Sequence, residues 1–136
     1  DFTAAVQRQR AFFLSGATRS LAFRRQQLQA LHAALERHEA DLLAALHADL
    51  RKSPHEAYTA EIGLVLSEIR HAVRQLPAWM KPRRRSTAPL TWPSRGFTQP
   101  EPYGVALIVG PWNYPLQLLL APLVGAIAAG NCAVLK

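Results

Sequence analysis

Apolar residues recur at helical spacing through the first half of the chain, in two separate runs. The first run repeats leucine at intervals of three, four or seven: Leu21, Leu28, Leu31, Leu35, Leu42 and Leu46. The second run has intervals of three and four: Tyr58, Ile62, Val65, Ile69, Val73 and Leu76. Because each set lies on one face of a helix, the pattern predicts two long helices. We expect them to pack as an antiparallel hairpin joined around Arg51–Lys52, after a shorter helix over residues 3–14.

Residues that begin or end helices lie between these runs. Ser15–Gly16 is expected to end the short first helix, because glycine readily adopts the left-handed conformation past a helix end. Thr18 is a candidate cap for the first long helix. The tetrapeptide Ser53–Glu56 has the capping residues of a helix start, with proline in the first turn. Pro77 is expected to end the second long helix.

The composition changes after the second run. Six of the ten prolines lie between residues 77 and 102, and proline disfavours both helix and interior strand. This segment is predicted to be extended and to cross between parts of the molecule, with an edge hairpin that pairs Ser86–Leu90 with Gly96–Thr98. The basic cluster Lys81–Arg85 is interpreted as a solvated or partner-facing loop. No nucleic-acid partner is predicted, because no docking element for base edges accompanies the cluster.

The last third of the chain has the pattern of a β-α-β unit. Val105–Val109 is a continuous apolar run, typical of a parallel strand buried on both faces. A helix is predicted over residues 115–129, ended by Gly130, and Cys132–Leu135 is predicted as the next strand. The fold class is therefore α/β: a helical hairpin that leads into the first βαβ unit of an incomplete Rossmann-like parallel sheet. The predicted parts are an N-terminal helical segment (1–76), a proline-rich crossing segment (77–103) and the start of a dinucleotide-binding domain (104–136).

Residues 102–135 carry no charged side chain, so a membrane helix is an alternative for this stretch, since about 20 apolar residues span a bilayer. Its prolines and glycines instead divide it into strand, turn, helix and strand. Asn113, Gln117 and Asn131 would also be unfavourable in lipid. No membrane span is predicted.

Composition and charge place the chain among globular proteins, with 49% hydrophobic and 18% charged residues and a net charge of +7. The single cysteine suits a reducing compartment, and a cytoplasmic location is expected. The sequence begins with Asp1 and has no apolar leader, so the chain is expected to be processed or partial. The five histidines have no metal-ligand spacing, and no metal is predicted. Four glutamates are assigned to solvated helix faces: Glu36, Glu39, Glu61 and Glu68.

Several short motifs resemble the aldehyde dehydrogenase superfamily, most closely its class 3 branch. The most specific are in the final third: Glu101–Val105, Gly110-Pro-Trp-Asn-Tyr-Pro115, Pro122–Asn131 and Val134–Lys136. Upstream motifs also fit that branch: Phe13–Arg19, Glu61–Gly63 and Trp79–Pro82.

The resemblance implies a reaction in which a cysteine thiolate attacks an aldehyde. Asn113 matches the asparagine whose amide stabilises the resulting oxyanion; the alternative is that it only shapes the turn before the helix. Hydride then passes to NAD or NADP, and a glutamate activates the water that hydrolyses the thioester. The catalytic cysteine, the glutamate and a glycine-rich cofactor turn are expected beyond Lys136. Cys132 is therefore not the expected nucleophile, and this chain alone is expected to be inactive.

The resemblance also implies binding residues. Four consecutive residues match a segment that lines the dinucleotide site, mostly through backbone: Val109, Gly110, Pro111 and Trp112. Lys136 matches a lysine that binds the adenosine ribose, and Tyr114 matches a position at the inner end of the substrate tunnel. The implied partner is a small aldehyde, medium-chain aliphatic or aromatic, and the parent enzyme is expected to be a homodimer. The alternative function is a non-catalytic interaction or scaffold protein.

Overall fold

The computed structural model describes residues 2–136, in which five α-helices precede four short strands and a sixth helix lies between the last two strands. The helices are α1 (Phe2–Leu14), α2 (Leu21–Arg37), α3 (Glu39–Leu50), α4 (Pro54–Ala57), α5 (Gly63–Trp79) and α6 (Pro115–Ala129). A π-helical turn over Tyr58–Ile62 joins α4 to α5. The strands are β1 (Arg83–Arg85), β2 (Gly96–Thr98), β3 (Val105–Ile108) and β4 (Cys132–Leu135). Within the described residues they form two two-stranded sheets, β1–β2 and β3–β4.

The hydrophobic core lies between α2, α5 and α6. Its buried members come from all three helices and the π-helical turn: Leu28, Leu35, Ile62, Val65, Leu66, Ile69, Ala72, Leu76, Val124 and Ala128. The predicted burial of the leucine face and of the second apolar run is confirmed for most positions, although Tyr58 is 41% exposed. At about 2 kcal/mol for each large buried side chain, this packing is the main stabilising force of the helical part.

Three predicted helix boundaries were wrong. The first long helix is two helices, because the chain leaves helical geometry at His38 (φ −103°, ψ 15°) before α3 begins. Ser20 rather than Thr18 caps α2, and its Oγ accepts a hydrogen bond from the Phe23 N–H at 3.1 Å. Pro77 lies inside α5, which continues to Trp79, because proline near the end of a helix removes a single backbone hydrogen bond.

The edge hairpin exists, but its first strand differs from the prediction. Arg83–Arg85, not Ser86–Leu90, pairs antiparallel with Gly96–Thr98. Pro89 instead begins a short 3₁₀ turn in the connection. All three arginines of β1 are exposed, and an exposed strand at a sheet edge accommodates charged side chains without burying them.

The predicted β-α-β unit is confirmed. Strands β3 and β4 pair in parallel, with Val105 opposite Cys132 and Ile108 opposite Leu135, and α6 connects them. The strand β3 is not buried on both faces as predicted: Ile108 is buried, whereas Leu107 is 58% exposed. Within residues 2–136, this sheet is therefore only partly covered: α1 and α6 both contact it, yet Leu107 stays largely exposed. No helix in the same residues has the length and apolar character needed to cross a membrane.

The junction between α6 and β4 depends on Gly130. Its φ of 88° lies in the left-handed region, and a Cβ there would come within 2.5 Å of the Arg24 guanidinium. That guanidinium is fixed from both sides, since Nε donates to the Thr18 carbonyl at 2.9 Å and Nη1 to the Ala128 carbonyl at 3.1 Å. Arg24 therefore ties the end of α6 to the start of α2.

Replacing Gly130 with alanine is expected to lower the free energy of unfolding by more than the ~1–2 kcal/mol that the left-handed conformation alone costs an alanine. The additional loss arises because the new methyl group must displace Arg24. The measurement is chemical unfolding, with Gly125→Ala on the same helix as the matched control. Among residues 2–136, a Cβ at Gly125 meets no atom within 4 Å outside its own stretch of helix, so that variant is expected to gain about 0.5–1 kcal/mol. Equal stability of the two variants would contradict the assignment.

Candidate functional site

The carboxyl ends of β3 and β4 bring two predicted binding segments together. The Lys136 N–H donates to the Ile108 carbonyl at 2.9 Å, and the Gly110 N–H donates to the Lys136 carbonyl at 2.9 Å. Lys136 therefore lies beside the segment that runs from Val109 to Trp112. Ligands of parallel α/β sheets bind at this edge, outside the carboxyl ends of the strands.

The predicted cofactor-binding side chains at this edge are largely open. Val109 is 61% exposed and Trp112 is 89% exposed, and Pro111 and Lys136 are exposed as well. Neighbouring exposed apolar side chains of this size are typical of an interaction or ligand-binding surface.

Gly110 allows the turn after β3 to pass close to α6. A Cβ at this position would lie 3.2 Å from the Leu119 Cβ and 3.6 Å from the Pro115 carbonyl oxygen. The contact with Leu119 is tighter than ordinary packing, so a larger residue at position 110 would push the turn and that side chain apart. The glycine thus fixes the path of the chain toward Asn113.

Asn113 lies in the turn immediately before α6, which has Pro115 in its first turn. The residue is exposed, and within residues 2–136 its side-chain amide makes no hydrogen bond. Its backbone is held, because the carbonyl oxygen accepts a hydrogen bond from Lys52 Nζ at 2.9 Å. The arrangement leaves an anchored residue with a neutral N–H donor free to bind an oxygen atom.

Sequence reasoning missed two charged residues behind this turn. Glu61 was assigned to a solvated helix face, which is wrong: it is fully buried, and its carboxylate pairs with the buried Lys52 ammonium. A signal was present in the sequence. Glu61 precedes Val65 and Ile69 at intervals of four, on the helix face that continues to the buried Ala72 and Leu76. This spacing indicates that the Glu61 side chain is buried rather than exposed to solvent.

Tyr114, predicted to border the substrate, adjoins the same pair. The residue is 38% exposed, and Lys52 Nζ lies 3.9 Å from the ring centroid. One face of the ring is therefore used by the ammonium in a cation–π contact.

Cys132 has the surroundings of a structural residue. It is buried in β4, and its N–H donates to the Gly104 carbonyl at 2.9 Å. Burial raises the pKa of its thiol above the ordinary value. Since the thiolate is the nucleophilic form, this environment disfavours nucleophilic chemistry.

Metal-ligating residue types are dispersed: among residues 2–136, no group of three or more His, Cys, Asp or Glu side chains is placed to hold an ion. Two charged features adjoin the site: Lys136 at the end of β4, and the Lys52–Glu61 pair, which contacts the turn through the Asn113 carbonyl.

Comparison with known proteins assigns the family. The family model described as "Aldehyde dehydrogenase family" matches residues 1–136. The chain belongs to the aldehyde dehydrogenase family. The predicted resemblance to this superfamily is confirmed, and so are the incomplete α/β fold and its position at the N-terminal part of the domain.

Individual aldehyde dehydrogenases are similar over nearly the whole chain. Aldehyde dehydrogenase family 3 member A2 of Macaca fascicularis is 47% identical over 131 residues, which cover 96% of this chain and 27% of that protein. The "dimeric NADP-preferring" aldehyde dehydrogenase of Canis lupus familiaris is also 47% identical, over 96% of this chain and 29% of its own length. The substrate-bound structure of Staphylococcus aureus AldH aligns with a TM-score of 0.92 and 43% identity, over 94% of this chain and 28% of that one. The chain thus spans less than a third of the relatives it matches.

Proposed function

We propose that residues 1–136 are the N-terminal part of an enzyme that oxidises aldehydes to carboxylic acids with NAD or NADP. The observation that carries the proposal is the position of Asn113 in a chain of this family. An exposed, uncharged amide lies at the carboxyl edge of a parallel sheet, on a backbone anchored by Lys52. A catalytic cysteine and a glutamate would come from outside residues 1–136.

Asn113 would stabilise the oxyanion that forms when a thiolate attacks the aldehyde carbon. A neutral donor suits this role, because it favours the negative charge that develops during attack without carrying charge of its own. Tyr114, next to it in the same turn, would border the aldehyde through the part of its ring that remains exposed.

The segment from Val109 to Trp112 and the Lys136 ammonium would hold the dinucleotide. The fit rests on donor chemistry, because an exposed lysine whose backbone carbonyl bonds to the Gly110 N–H suits a ligand rich in hydroxyl and phosphate oxygens. When bound, the cofactor supplies a hydride acceptor. Residues 104–136 would begin the dinucleotide-binding domain, after the helical segment 1–76 and the crossing segment 77–103.

The proposed enzyme is cytoplasmic and homodimeric. A reduced, buried Cys132 suits the cytoplasm. A homodimer would be in keeping with the word "dimeric" in the name of the Canis lupus familiaris relative.

The test is to express the complete reading frame that contains residues 1–136 and to assay it with aliphatic and aromatic aldehydes and either nicotinamide cofactor. Aldehyde-dependent formation of reduced nicotinamide, with one equivalent of carboxylic acid, is expected. Residues 1–136 expressed alone are the control and should give no turnover.

A reading frame that supplies no further cysteine and glutamate, or a purified protein that oxidises no aldehyde with either cofactor, would overturn the proposal. The non-catalytic interaction or scaffold protein would then be the better account of the chain.

A further inference from the structure

A buried ion pair lies directly beneath the turn that carries Asn113. Lys52 Nζ donates to Glu61 Oε1, and the Lys52 and Glu61 side chains are 8% and 0% exposed. The two residues come from separate elements, since Lys52 follows α3 and Glu61 lies in the π-helical turn before α5. Single π-turns of this kind occur preferentially at functional sites.

Glu61 fixes the start of α6. Its second oxygen, Oε2, accepts hydrogen bonds from the backbone N–H groups of Leu116 at 2.9 Å and Gln117 at 3.3 Å. Tyr114, at the position that precedes the helix, provides no side-chain cap. The carboxylate therefore acts as the cap from a distant part of the chain, where the helix dipole also favours a negative charge.

Lys52 fixes the residue before the helix. Its ammonium donates to the Asn113 carbonyl at 2.9 Å and lies over the Tyr114 ring. Its own backbone is held as well, because His47 Nδ1 donates to the Lys52 carbonyl at 3.0 Å. The preceding residue, Arg51, has a φ of 57°, which is uncommon for a residue other than glycine.

We propose that Lys52 and Glu61 are positioning residues, which hold the Asn113 peptide so that its amide points at the developing oxyanion. This inference rests on the proposed function. The Lys52 ammonium donates to the Asn113 carbonyl, and the Glu61 carboxylate accepts from the first turn of α6, which starts two residues later. The turn is therefore held on both sides. A buried ion pair by itself is a weak source of net stability. Precise placement of a donor, in contrast, matters strongly, since a displacement of about 1 Å can cost about 100-fold in rate.

The test is a double-mutant cycle in the complete protein. Lys52→Met and the neutral pair Lys52→Met/Glu61→Gln are each made with Asn113 intact and with Asn113→Ala. With Asn113 intact, kcat is expected to fall about 10- to 100-fold with little change in KM. In the Asn113→Ala background the same substitutions are expected to cause almost no further fall, because the amide they position is gone. The neutral pair leaves no unpaired buried charge, so it keeps the test valid if Lys52→Met alone fails to fold.

Lys81→Met is the matched control, since Lys81 is exposed and distant in sequence from the site. Equal loss of kcat in both Asn113 backgrounds would show a general structural role and overturn the inference, as would unchanged kcat in folded Lys52 variants. A second readout is amide hydrogen exchange at Leu116 and Gln117, which is expected to accelerate in the neutral pair, because the uncharged glutamine oxygen is a weaker acceptor than the carboxylate. Failure of the proposed function itself is seen separately, as an unsubstituted protein that oxidises no aldehyde, and the inference fails with it.

Discussion

Replacing Asn113 with alanine is expected to lower kcat of the complete protein about 100- to 1000-fold, the usual effect of removing one oxyanion donor. The physical reason is that the amide stabilises charge present only during attack on the aldehyde, so KM should change much less than kcat. Steady-state kinetics with one aldehyde and saturating cofactor measures both constants. The protein should remain folded, because the Asn113 side chain is exposed and, within the part of the chain that the structure describes, the bond it makes is through its backbone carbonyl.

Two further variants separate a donor from a residue that merely shapes the turn. Asn113→Asp retains the size and turn preference of the side chain but replaces the N–H donor with a charge that repels an oxyanion, so it should lose at least as much activity as alanine. Gln26→Ala removes an amide that is exposed on α2 and should leave kcat unchanged. Near-normal turnover by Asn113→Asp would show that the residue acts only on the turn.

The parts of the fold that sequence predicts well are those with local signals. The apolar run at Val105–Ile108, proline at the first turn of α6 and left-handed Gly130 at its end each act over a few neighbouring residues. The β-α-β unit followed from them directly. The carboxyl ends of its strands then had to adjoin, which brought Lys136 beside Gly110.

The parts that sequence does not predict depend on partners far along the chain. The periodicity of the leucine face continues through residue 38, so nothing in it marks the break between α2 and α3. Three consecutive arginines resemble a loop, yet Arg83–Arg85 is a strand because Gly96–Thr98 pairs with it. In both cases tertiary context decides among local conformations that differ little in energy.

The missed site residues have the same explanation. Glu61 bonds the amide of Leu116 at a separation of 55 residues, and Lys52 bonds the carbonyl of Asn113 at a separation of 61. In the sequence, each of these charged residues is expected to be exposed to solvent, because charged side chains are rarely buried without a partner. Only the fold shows that the two are partners and that both face the start of α6.

Replacing Glu61 with alanine is accordingly expected to be strongly destabilising, by about 3–5 kcal/mol, because it leaves the buried Lys52 ammonium without its counter-ion. It also leaves the N–H groups of Leu116 and Gln117 without the acceptor that caps α6. The measurement is the free energy of unfolding of the complete protein in a chemical denaturant. Glu68→Ala is the matched control, because Glu68 is exposed on α5 and its loss should change stability by no more than about 0.5 kcal/mol.

A second substitution identifies the source of that loss. If the unpaired ammonium dominates, adding Lys52→Met to Glu61→Ala should recover most of the stability, since the uncompensated buried charge disappears. If the missing helix cap dominates, Lys52→Met should recover little, and Glu61→Gln, which keeps an acceptor oxygen for the α6 amides, should be the milder single variant. If Glu61→Ala has the same free energy of unfolding as Glu68→Ala, both explanations are wrong. A fully buried carboxylate that accepts from three donors would then contribute nothing to the stability of the fold.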